Sequence, residues 1–148
     1  MTAPAVRTVV TFRSSAFNTS EAKPYFINPC CFGDDVANWL AAGLRRDGHE
    51  AGETGQEDFG WYFNFRVGGV AHCLVTGYRP GDDSNKGEWI GWLERSRTFF
   101  RGRGITPEAA QAVHNVLAGS QQVTDIRWHL RFDFDAGNED SAAATPLP

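Results

Sequence analysis

Hydrophobic and polar residues alternate over several stretches of the chain, and this period of two predicts strands. Val6, Thr8, Val10 and Phe12 fall on one face of a first strand, with Arg7, Val9, Thr11 and Arg13 on the other. Trp61, Phe63, Phe65 and Val67 alternate with Tyr62, Asn64 and Arg66. Gly68-Gly69 follows, a pair free to take the positive φ angles of a tight hairpin, and a partner strand runs from Val70 to Tyr78. A further strand covers Glu88 to Arg95. The last covers Asp125 to Phe134, where Ile126, Trp128, Leu130, Phe132 and Phe134 alternate with Arg127, His129, Arg131 and Asp133.

Two segments carry the helical period instead. Val36, Leu40 and Leu44 form a narrow stripe flanked by Ala37 and Ala41. Asp34 or Asp35 offers an N-cap, Arg45 and Arg46 suit the last turn, and Gly48 suits a left-handed stop. Thr106-Pro107-Glu108 opens a second helix in its preferred chemistry. Val113, Val116 and Leu117 are its apolar face, and Gly119 ends it. The connection from Ser14 to Phe32 contains Phe17, Tyr25, Phe26 and Ile27 and is too apolar to stay off the surface of the domain. The order βα-βββ-αβ predicts a two-layer α+β domain over residues 1–136, with an antiparallel-rich sheet of about five strands and both helices on one face. It looks like a ferredoxin-like unit with an added strand. The segment 137–148 is small, acidic and Pro-containing, and is expected to be disordered. In this topology His49 to Asp58 and Arg79 to Gly87 share one end. Cys30-Cys31, Gly68-Gly69 and Arg95 to Arg103 share the other.

Composition narrows the setting. The 148 residues are 41% hydrophobic and 13% aromatic, enough for a core without disulfide or metal support. A net charge of −4 gives no reason to expect nucleic acid or an anionic membrane as partner. Three cysteines, two of them adjacent, make a poor disulfide framework and point to a reducing compartment. No secretory leader and no membrane-length apolar run is apparent, so the cytoplasm is the expected location.

Most candidate chemistry dissolves on inspection. Gly102-Arg103-Gly104 lacks the third glycine of a dinucleotide turn, since Pro107 stands in its place. The stretch Asp82 to Gly87 has Lys86 at a calcium-ligand position. His49-Glu50 followed by Glu53 lacks the second histidine of a zinc helix. No cofactor and no metal site are therefore expected. Asp34-Asp35 and Glu57-Asp58 flank the first helix, whose length puts its ends roughly 18 Å apart; they are expected to lie too far apart to cooperate. Cys30-Cys31 has no base nearby in sequence. Trp61 and Trp128 fall on apolar faces, and Trp89 and Trp92 lie on opposite faces of one strand. The strongest signal is basic: Arg95, Arg97, Arg101 and Arg103 occur without an intervening acid, just before the second helix. Guanidinium forks beside a helix N-terminus suit a small anion or an acidic protein partner.

The run from Asn28-Pro29 through Phe32-Gly33-Asp34-Asp35 to Trp39-Leu40, with Glu57-Asp58-Phe59-Gly60-Trp61 beyond it, resembles a pattern in small bacterial cytosolic proteins of uncharacterised activity. The resemblance covers the first half of the chain and transfers no catalytic residue. Together these features favour a non-catalytic binding or protein-interaction module, immunity-type proteins being one form. The alternative is a small enzyme whose Arg95–Arg103 segment holds an anionic substrate, with a carboxylate or His129 as acid/base.

Overall fold

The structure, a computed structural model, describes residues 6–26, 31–57, 60–81, 87–95 and 104–148. Its elements are β1 (Val9–Arg13), α1 (Asp34–Arg46), β2 (Glu50–Ala51), β3 (Gly55–Gln56), β4 (Trp61–Val67), β5 (Val70–Arg79), β6 (Glu88–Arg95), α2 (Pro107–Ala118), β7 (Thr124–His129) and α3 (Arg131–Asp135). The α+β class and the antiparallel sheet follow the hydrophobic pattern. The sheet has seven strands in the order β2-β4-β5-β6-β1-β7, with β3 also on β4, rather than about five. Among the described residues every strand pair is antiparallel. Since β1 is antiparallel to both β6 and β7, those two run parallel on either side of it, linked through α2.

Local chemistry sets the boundaries. Gly68 and Gly69 have φ of 58° and 77°, which closes the β4–β5 hairpin in register from Val67↔Val70 to Trp61↔Thr76. Thr106 caps α2, its hydroxyl accepting from the Ala109 amide at 3.3 Å. In α1 the cap is Gly33, at φ 128°, while Asp34 and Asp35 lie in the first turn, where negative charge still suits the dipole.

Both long helices pack on the sheet face that carries Val10, Phe12, Phe63, Leu74, Trp89 and Trp128. They approach closely because Gly43 faces Val116; a Cβ there would lie 2.5 Å from Val116 Cγ1. Phe17 in the long connection packs edge-on against Trp39 and Trp89, and Tyr25 and Phe26 pack on Trp61.

Three expectations change. The segment 49–57 is not a loop at one end, because β2 and β3 pair with β4 at Arg66–Phe65 and Tyr62–Trp61, carrying the chain back along the hairpin. His49 and Glu50 therefore lie beside Gly68-Gly69, while Glu57 lies near Trp61 with Cys31. Asp34 and Glu57 consequently share an end; Asp58 and Cys30 lie outside the described residues. The final strand stops at His129 and the chain turns into α3, leaving Phe132 83% exposed. Finally, the segment after Gly137 is docked where disorder is expected. Ala143 exchanges backbone hydrogen bonds with Trp128 at 2.6 and 2.8 Å, and the Arg7 amide donates to Pro146 O at 3.0 Å. This occupies part of the outer edge of β7, which its low hydrophobicity alone did not foretell.

Candidate functional site

Of the basic positions, Arg95 is described and Arg97, Arg101 and Arg103 lie outside the described residues. Arg95 ends β6 opposite His72 of β5. One of its guanidinium nitrogens, Nη1, is buried without a hydrogen-bond partner. The neighbouring His72 ring is fully buried and stacked on Phe65, with centroids 5.6 Å apart. Its Nε2 accepts from the Thr106 amide at 3.2 Å, so the ring proton sits on Nδ1, which meets Val70 O at 3.1 Å. The register of β5 and β6 thus brings Arg95, His72 and the cap of α2 to one end of the sheet.

His129, the acid/base candidate, lies on the opposite sheet face. Its Nε2 is 2.8 Å from Thr11 Oγ1, a pairing that superficially suits hydroxyl activation. The residue is only 1% exposed, however, because Phe134 of α3 packs over it, also touching Trp92. Its Nδ1 has no partner. Around it runs an ion-pair chain: Arg79 bonds Glu139 at 2.9 Å and Glu88 at 3.1 Å, and Arg13 lies 3.8 Å from Glu88. The bond to Arg79 holds the Glu139 carboxyl below its usual range. His129 is enclosed and cannot meet a substrate in this arrangement.

Other residues weighed in the sequence make local contacts. Cys31 is buried, with its thiol toward Glu57 O at 3.5 Å and its carbonyl accepting from Trp61 Nε1 at 2.8 Å. Tyr25 donates to Asp34, and that bond, with burial and the charges of Asp34 and Asp35 adding to it, pushes the phenol up to about 12. Among the described residues, no three His, Cys, Asp or Glu side chains are placed to hold a metal ion.

Burial is the chief cause that lowers the affinity of His72, His114 and His129 for a proton. At His72 the Arg95 charge adds to it while the Val70 carbonyl opposes. At His129, Glu139 and Glu88 oppose it while Arg127 and Arg79 add to it. Protonation would also remove the acceptors used by Thr106 N and by Trp128 Nε1, which bonds His114 Nδ1 at 3.1 Å. The unfolded histidines bind protons near pH ~6.5, above the folded ones, so their stabilising effect is complete above that value and declines as pH falls toward the lowered folded values. Urea midpoints measured between about pH 7 and about pH 5 should fall accordingly. A flat profile would mean that these rings protonate without opening their surroundings.

The basic run was legible as sequence, but the pairing of Arg95 with His72 was not. A groove at the opposite end of the sheet, lined in part by Arg13, Tyr78, Gln122 and Asp125, was missed altogether. Its residues come from distant segments and share no spacing signal. No helix among the described residues is long and apolar enough to cross a membrane. No protein-family model, curated relative or solved structure matches the chain.

Proposed function

We propose that this chain is a non-catalytic binding module whose Arg95 end engages an acidic protein partner or a small anion. The single observation that carries this reading is the Arg95 guanidinium, which has a buried nitrogen without a protein partner beside His72 and the capped start of α2. An unmet buried donor is costly, and an anion would satisfy it with a charge-assisted bond. By sequence, Arg97, Arg101 and Arg103 extend the same basic segment. A partner-neutralising protein of the immunity type, working in a bacterial cytoplasm, is the form this reading takes. The β6–α2–β7 half, with β1 between its strands, supports a ferredoxin-like variant as its scaffold. The enzymatic alternative is disfavoured by the enclosure of His129.

Titration with inorganic phosphate, and separately with a Glu-rich peptide, should shift the amide resonances of His72 and of Thr106 to Glu108. The shifts should weaken as sodium chloride is added. Arg95→Gln should weaken binding about tenfold while leaving the fold intact. Resonances that stay still under both probes would refute the reading.

A further inference from the structure

At the other end of β6 the strand ends frame a groove of about 1130 Å³. It is built from the end of β1 and the residues after it, Tyr78 of β5, Gly87 before β6, the connection after α2, and the first residues of β7. One part is aromatic. Phe17 and Tyr78 line it, each packed against Trp89, with ring centroids 5.8 and 4.7 Å apart. Much of the rest is polar, including Arg13, Ser15, Gln121, Gln122, Thr124 and Asp125.

The backbone at the rim is unusual. The β1–β7 register slips between Thr11↔Arg127 and Arg13↔Thr124, and within this bulge Asp125 has φ 54°. Among the described residues it is the one non-glycine with positive φ. Bulges of this kind re-aim side chains, and strained residues concentrate at binding positions. A glycine would take this conformation without strain, yet the position carries a carboxylate.

The lining selects among ligand classes. Among the described residues Arg13 is the one cation in the lining, and it lies 3.8 Å from Glu88, so it offers little to a phosphate. Among the described residues the lining holds one carboxylate, Asp125, which alone is a poor metal site. The amides, hydroxyls, carboxylate and guanidinium can donate to and accept from neighbouring hydroxyl groups, and the aromatic wall suits a flat C–H surface. We propose that this groove binds a neutral polyhydroxylated molecule, a saccharide of one or two rings, as a second site separate from the Arg95 end.

The test is titration of the full chain with glucose, maltose and cellobiose, followed through amide shifts and calorimetry. At least one saccharide should shift Ser14 to Phe17 and Gln121 to Asp125 while leaving Thr106 to Glu108 unmoved. Asp125→Gly relieves the backbone and should keep the melting temperature, yet it should weaken saccharide binding about tenfold. Gln122→Ala, at an exposed position, should weaken it in the same direction. The proposal is overturned if no saccharide moves these resonances at millimolar concentration. Groove shifts with inorganic phosphate or the Glu-rich peptide but with no saccharide would overturn it equally, as would undiminished binding in both variants.

Discussion

Replacing Trp128 with alanine is expected to cost about 3–5 kcal/mol of folding stability, the range for truncating a fully buried aromatic. Trp128 is 0% exposed and sits opposite Val10 in the β1–β7 register, on the face that α2 covers. Its indole N–H donates to His114 Nδ1 at 3.1 Å, tying the strand to α2. Alanine would leave a large cavity and strip His114 of its donor. Phenylalanine would keep most of the volume and lose the hydrogen bond, at a cost of about 1–2 kcal/mol. Arg127 is the control: it is exposed on the other face, and its alanine variant should change stability by under about 0.5 kcal/mol. Urea unfolding of the three variants would decide it. A larger loss at Arg127 than at Trp128 would mean that β7 is paired one residue out of register.

The hairpin was legible because clean alternation and Gly68-Gly69 act together, so period and turn chemistry agree. The short pairings were not. Two-residue strands such as Glu50–Ala51 and Gly55–Gln56 have no period to detect, so the return of the chain along β4 is invisible before the sheet exists. The mistaken strand through Phe134 has a different cause. Its pattern is a strand pattern, but pairing with β1 ends at Val9↔His129 and Thr8 N→His129 O. Beyond that point Arg7 turns its amide to Pro146, so residues 130–134 have no strand to join and coil into α3 instead. The sites divide in the same way. Arginine content is visible in one dimension. The burial of Arg95 Nη1 and the enclosure of His129 are products of register and of an unanticipated helix.

Truncation after Asp135 is expected to cost about 2–4 kcal/mol, where composition alone suggests a neutral change. Removing residues 136–148 would leave the Trp128 amide and carbonyl without Ala143, and the Arg7 amide without Pro146. It would also take away Glu139, which Arg79 holds through two bonds of 2.9 and 3.2 Å, and Ser141, whose hydroxyl donates to Asp133 in α3 at 2.7 Å. Their loss would loosen α3, and with it the Phe134 cover over His129. Against these losses stands the conformational freedom regained by the removed residues, which keeps the net cost well below the gross sum. The ion pair can be separated from the backbone contribution. Arg79 and Glu139 are partly exposed, so Glu139→Gln should cost at most about 1 kcal/mol. Amide exchange gives an independent reading: Trp128 N–H should be protected in the full chain and in Glu139→Gln, and exposed in the truncated chain. An unchanged urea midpoint together with retained protection at Trp128 would show that residues 136–148 lie on β7 without holding it.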